Sequence, residues 1–81
     1  MNEQIVIKEI LLTKYLYLCP NKLDPKHIKL RLPLRNGGTY DVGYLIKNYA
    51  NLRTAYQAAL IDRNNLGIQE WGSEWNRKKE L

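Results

Sequence analysis

From Ile28 to Arg35 the chain reads I-K-L-R-L-P-L-R. Apolar residues fill every second position (Ile28, Leu30, Leu32, Leu34), and Lys29, Arg31 and Arg35 fill three of the four positions between them. Side chains alternate faces along a β-strand, so this period buries one row of leucines and turns a row of cations to solvent. A helix would scatter the same residues around its axis. A row of Lys and Arg on a pleated surface, with tyrosines on either side in sequence, suits a polyanion better than it suits catalysis. The function to be expected is nucleic-acid binding, with duplex DNA as the leading partner.

The rest of the chain supplies partners for that strand. Between Gln4 and Leu18 it is rich in Ile, Leu, Val and Tyr, and Tyr15-Leu16-Tyr17-Leu18 alternates as a strand does. The earlier part also fits helical spacing at Ile7, Ile10, Leu11 and Lys14, but β-branched Ile5, Val6 and Ile7 favour a strand. Cys19-Pro20-Asn21 through Asp24-Pro25 combines prolines with turn formers, so the chain reverses there. Pro33 cannot donate to a sheet ladder, which predicts an edge strand or a strand ending near that point. Asn36-Gly37-Gly38 is a hairpin signal, and Thr39 to Ile46 reads as a third strand with Gly43 as a bulge or close contact.

The period changes after residue 50. Asn51 can cap a helix from Leu52 to about Asn65 or Leu66, with Leu52, Ala55, Tyr56, Ala59, Leu60 and Leu66 as its apolar stripe and Gly67 as its stop. Trp71 and Trp75 lie in a tail over residues 68–81 that ends in the basic, frayed run Arg77-Lys78-Lys79. The predicted fold is therefore α+β. A three-stranded antiparallel sheet over about residues 4–46 packs on one C-terminal amphipathic helix over about 52–66, in a single domain of 81 residues with a short Trp-containing tail.

Composition narrows the function classes. A hydrophobic content of 44% excludes global disorder, and the apolar runs fall far short of the roughly 20 residues that span a bilayer. Glu3 near the amino terminus, without a cationic start and a long apolar core, predicts no secretory leader. One cysteine, Cys19, forms no internal disulfide and suits a reducing compartment, so a cytoplasmic location is expected. The net charge of +5 is unevenly spread. Residues 22–53 hold seven cations (Lys22, Lys26, Lys29, Arg31, Arg35, Lys47, Arg53) against Asp24 and Asp41. Residues 54–76 hold Arg63 against Asp62, Glu70 and Glu74. The positive field thus lies on the middle of the chain, as a phosphate-facing surface requires.

Gly43-Tyr44 followed by the capped, alanine-bearing stretch Asn51-Leu52-Arg53-Thr54-Ala55-Tyr56-Gln57-Ala58-Ala59 resembles the APETALA-type DNA-binding domain. It is similar too to the related amino-terminal domains of phage integrases. The resemblance spans roughly residues 13–67, with Ala55 and Ala58 at the small helix positions. It implies a sheet that lies in the major groove and reads bases with Arg and aromatic side chains while the helix packs behind. It also implies a regulatory or recombination accessory role, in the setting of a phage or mobile element.

Other chemistry finds little support. His27 is the sole histidine and sits beside Lys26 and Lys29, so a structural or phosphate-facing role is expected. Cys19 lacks a second thiol, which predicts a small buried apolar group and no zinc site. The acids Asp24, Asp41, Asp62, Glu70 and Glu74 form no spacing suited to general acid-base work, and no enzyme, metal or cofactor is expected.

Arg31 and Arg35 can each present a bidentate fork to guanine or phosphate. Lys26, Lys29 and Lys47 are candidate phosphate contacts, and Tyr15, Tyr17, Tyr40 and Tyr44 are candidates for packing on sugars, thymine methyls or unstacked bases. RNA or a single strand is the nearest alternative partner. A different class is a protein-binding module, such as a phage-encoded inhibitor or complex subunit, with Pro33 and the two tryptophans as its contact surface. The bland reading of the cationic row is a solubilised edge strand.

Overall fold

Asn36, Gly37 and Gly38 form the turn that their chemistry predicts. Gly37 holds φ at 93°, the Asn36 side chain accepts the Gly38 N–H at 2.8 Å, and Leu34 N–H donates to Gly38 O at 2.9 Å. The structure, a computed structural model, describes the backbone of residues 2–79 and the side chains of residues 3–79. The end of the basic tail beyond Lys79 lies outside the described residues.

Three antiparallel strands make one sheet in the order β1 (Leu16–Cys19), β2 (His27–Pro33), β3 (Thr39–Leu45). The leucine-bearing strand β2 is central and ends at Pro33, so of the two readings of that proline the strand end holds. Pro33 is tolerated because it is the last residue of β2, opposite Thr39. Register places Ile28 between Leu18 and Tyr44, and Leu30 between Leu16 and Val42. Ile28, Leu30 and Leu32 are fully buried, as the alternation requires.

The segment before β1 departs from expectation, because α1 (Asn2–Leu12) is a helix and the sheet begins only at Leu16. Val6 and Ile10, one turn apart, are 1% and 0% exposed against the core. That burial outweighs the few tenths of a kcal/mol by which β-branched residues disfavour helix. After β3 a 3-10 turn over Ile46–Asn48 leads to α2 (Leu52–Trp71). Asn51 caps α2 by accepting the Thr54 N–H at 2.8 Å. Both helices cover the leucine face of the sheet, giving a core of Val6, Ile10, Leu16, the β2 row, Leu52, Ala55, Ala59 and Trp75.

Helix α2 does not stop at Gly67. It continues to Trp71, and Gly72, with φ 59°, is the actual terminator. Gly67 serves a different need: a methyl group there would land on the Trp75 indole, which lies directly on the helix backbone. The tail is accordingly part of the core. A 3-10 turn over Gly72–Glu74 reverses the chain into α3 (Trp75–Lys78), Trp75 is 2% exposed, and Lys78 Nζ lies 4.0 Å from the Trp71 ring centre. Trp71 is half-buried and donates its indole N–H to Pro33 O at 2.8 Å. The two tryptophans therefore hold the tail down.

Candidate nucleic-acid interface

Strand alternation places Tyr17, Cys19, His27, Lys29, Arg31, Thr39, Asp41 and Gly43 on the face away from the helices. Cys19 is half-buried on this outer row, not a core group. Lys29 sits between Tyr17 and Gly43, and Arg31 sits opposite Asp41. Tyr17 is 49% exposed. Tyr15, Tyr17, Arg31, Pro33 and Thr39 line a shallow hollow of about 250 Å3 on this face. The face thus gathers Tyr17, Lys29 and Arg31 from the candidate set, with Tyr15 at its rim.

Asp41 tempers the positive charge. Its Oδ2 lies 3.1 Å from Arg31 Nε and its Oδ1 3.4 Å from Lys29 Nζ. Both cations are substantially exposed, and exposed ion pairs contribute only about 0–1 kcal/mol. The pairing orients Arg31 without sequestering it.

Arg35 has a different fate, which removes it from the face. Its Nε donates to Glu70 O at 2.8 Å, one terminal nitrogen donates to Trp71 O at 3.2 Å, and the guanidinium stacks 4.9 Å from the Trp71 ring centre. Its backbone N–H donates to Glu70 Oε1 at 2.8 Å, and Glu74 Oε2 lies 3.2 Å from its side chain. Arg35 therefore caps the carboxyl end of α2, where a cation offsets the helix dipole. Tyr44 is also withdrawn: it is buried on the helix side and donates to Asp62 Oδ2 at 2.7 Å. Burial and the Asp62 carboxylate push its phenol pKa well above the ordinary value. Tyr40 alternates to the helix side as well, at the rim.

Tyr15 turns partly aside because its backbone adopts φ 75°, the one left-handed non-glycine position among the described residues. Its ring stacks on Trp75 at 5.8 Å, while its carbonyl accepts the Arg31 N–H at 3.0 Å. Lys26 and Lys47 are exposed and lie at the end of the sheet where Ile46 N–H donates to Lys26 O. Lys26 also pairs loosely with Asp24 at 3.5 Å.

Two residues escaped the sequence reading. Asp41 was readable by counting back symmetrically from the Asn36-Gly37-Gly38 turn, which sets it opposite Arg31. Arg63 carried no local signal: it is 5% exposed, and among the described residues no carboxylate pairs with it. It donates to Lys14 O at 2.8 Å, Asn64 Oδ1 at 2.8 Å and Lys79 O at 3.2 Å, with its guanidinium 5.2 Å from the Trp75 ring centre. Burial pulls its pKa down, but an arginine stays charged. It ties the tail to α2 and to the α1–β1 connection.

Among the described residues no group of three or more His, Cys, Asp or Glu side chains is placed to hold a metal ion, and no helix is long and apolar enough to cross a membrane. No family model matches the chain, and neither a curated protein nor a solved structure does.

Proposed function

We propose that the chain is a binding module, not an enzyme, that grips duplex DNA with the outer face of its sheet. The observation that carries this reading is the disposition of Arg31. Its side chain is 58% exposed, its Nε faces Asp41, and among the described residues no hydrogen bond occupies its terminal nitrogens. A guanidinium oriented through Nε keeps its two-pronged edge for guanine or for a phosphate, which an ammonium cannot match. Gly43 supports the same reading. A side chain there would meet only His27 Cδ2, at 3.9 Å, so the sheet stays low beside Lys29 where a phosphate backbone would approach.

Lys26, Lys29 and Lys47 add sequence-independent phosphate contacts. Single-strand binders stack successive bases on several rings, and here only Tyr17 stands fully on the outer row, which favours a duplex. A regulatory or recombination accessory role fits a small module of this kind.

Fluorescence anisotropy of a labelled duplex across salt concentrations tests the proposal. Four cations on phosphates predict a slope of log affinity against log salt near −3 to −4, at about −0.9 per contact. Arg31→Ala weakens binding, and single-stranded DNA or RNA competes poorly. A flat salt response, or unchanged affinity in Arg31→Ala, refutes the reading.

A further inference from the structure

We propose that the hollow beside Arg31 accepts a single unpaired nucleotide, so that the chain prefers a duplex carrying one extruded base over a fully paired duplex. The inference rests on the reading of the outer sheet face as a DNA-binding surface, and it names the form of DNA which that face takes.

The hollow, of about 250 Å3, is lined by Tyr15, Tyr17, Arg31, Pro33 and Thr39. Strand register brings these five together. Arg31 N–H donates to Tyr15 O at 3.0 Å, and Tyr17 lies opposite Lys29. Pro33, two residues past Arg31 on the same outer row, pairs with Thr39. Two phenol rings, a proline ring and a hydroxyl thus share the hollow with one guanidinium.

The hollow is preformed, because two of its lining residues are pinned from behind. The Tyr15 ring stacks at 5.8 Å on Trp75, which is 2% exposed, and its hydroxyl donates to Lys78 O at 3.4 Å. Pro33 O accepts the Trp71 indole N–H at 2.8 Å. Tyr15 reaches its place with φ 75°, a conformation that is costly for a non-glycine residue and persists only where the surroundings enforce it. A site ordered before its ligand arrives loses less entropy on binding.

Chemistry, charge and size identify the occupant. Tyrosine rings offer flat area on which any nucleobase stacks. Arg31 keeps its terminal nitrogens for the phosphate beside that base. Asp41, which lies 3.1 Å from Arg31 Nε and 3.4 Å from Lys29 Nζ, is not among the lining residues, and Lys14 Nζ lies 5.3 Å from the Tyr15 ring centre. Lys14, Lys29 and Arg31 therefore face the hollow's surroundings against Asp41 alone among these charges, a balance that favours an anion. An uncharged aromatic molecule would leave the guanidinium unused, and a bare anion would leave the rings unused. A nucleotide uses both. The volume falls below the roughly 300–1,000 Å3 of sites for drug-sized molecules, which suits one base and not a base pair. Bases inside a duplex expose only their edges in the grooves, so a base must leave the stack to lay its face on a ring, and leaving costs least when it has no pairing partner.

The test is fluorescence anisotropy of the full chain with three labelled duplexes of one sequence. The first is fully paired, the second carries one extra unpaired deoxyadenosine, and the third carries an abasic residue at that extra position. The deoxyadenosine bulge is expected to bind about tenfold more tightly than the paired duplex, the factor that a base–aromatic stack of about 1.4 kcal/mol supplies. The abasic bulge, which bends as freely but brings no base, should bind like the paired duplex. Tyr17→Ala should cut the tenfold preference to about twofold or less, and Tyr17→Phe, which keeps the ring, should retain it. Tyr17 is 49% exposed, so an unchanged melting temperature confirms that both variants fold.

Equal affinity for paired and bulged duplexes, with the salt dependence intact, overturns this inference and leaves the DNA-binding reading standing. Failure to bind any duplex overturns both. An abasic bulge that binds as tightly as the deoxyadenosine bulge would show that flexibility, not the base, is selected. A preference that survives Tyr17→Ala would place the base elsewhere. Free deoxyadenosine monophosphate that competes as well as the bulged duplex would assign the hollow to a mononucleotide.

Discussion

Substituting Gly67→Ala sets two well-characterised effects against each other. In an exposed helix interior alanine is favoured over glycine by about 1 kcal/mol, because glycine loses more backbone entropy. Here the new methyl would overlap the Trp75 indole. The ring cannot retreat easily: it is 2% exposed, stacked on Tyr15 at 5.8 Å, with the Arg63 guanidinium 5.2 Å from its centre. Overpacking a core costs about 1–3 kcal/mol, and against a flat immobile ring the upper part of that range applies. The expected net loss is about 1–2 kcal/mol, or a fall in Tm of roughly 5–15 °C for a domain of this size, read by circular dichroism. Trp75→Leu alone should cost about 2–4 kcal/mol. In that background the added methyl has room, so Gly67→Ala should be neutral or stabilising by up to about 1 kcal/mol. A rise in Tm for the single variant, or the same loss in both backgrounds, would show that the ring does not dictate the glycine.

Further outcomes follow from the same contacts. Arg35→Ala should lose about 1 kcal/mol of stability, with the α2 carbonyls and the Trp71 face left uncovered, while duplex affinity stays unchanged. Arg31→Ala should do the reverse, losing about 1–3 kcal/mol of duplex binding with stability within about 0.5 kcal/mol. Arg63→Lys replaces a fork of three nitrogens with a single one that cannot reach Lys14 O, Asn64 Oδ1 and Lys79 O together, and should cost about 2–3 kcal/mol in urea unfolding. Tyr44 keeps its proton in the folded chain to a higher pH than in the unfolded one, where it ionises near the ordinary value of 10.0. Its stabilising contribution is complete below that pH and declines above it, by up to about 1.4 kcal/mol per pH unit, until the folded phenol ionises too. Tyr44→Phe should flatten that alkaline decline relative to the parent in denaturant melts, and an identical decline in both would contradict the assignment.

Local signals carried much of the architecture. The period of two through Ile28, Leu30 and Leu32 placed β2 and its buried face, the Asn36-Gly37-Gly38 turn placed the hairpin, and Asn51 placed the start of α2. These features depend on residues near in sequence. The misreadings trace to contacts that close over long separations. Val6 and Ile10 become helical because α2 and the sheet cover them, which no propensity in residues 5–11 announces. Gly67 looks like a helix stop until Trp75 folds back onto it. Arg35 belongs to the cationic row by spacing alone, and leaves it because the end of α2 arrives beside it from 35 residues away. Of the candidate interface, Tyr17, Lys29 and Arg31 were legible because alternation alone decides which way they point. Tyr44 and Tyr40 were misplaced because the facing of β3 depends on its register with β2.

If nucleic acid meets the outer face of the sheet, a map of amide chemical-shift changes on titration with a short random-sequence duplex will register it residue by residue. Shifts should concentrate at Tyr17, His27 to Arg31 and Asp41 to Gly43, with smaller ones at Lys26 and Lys47 and quiet amides along Ile61 and Ile68 on the exposed side of α2. Shifts confined to α2 or to α1, with the outer sheet silent, would contradict it.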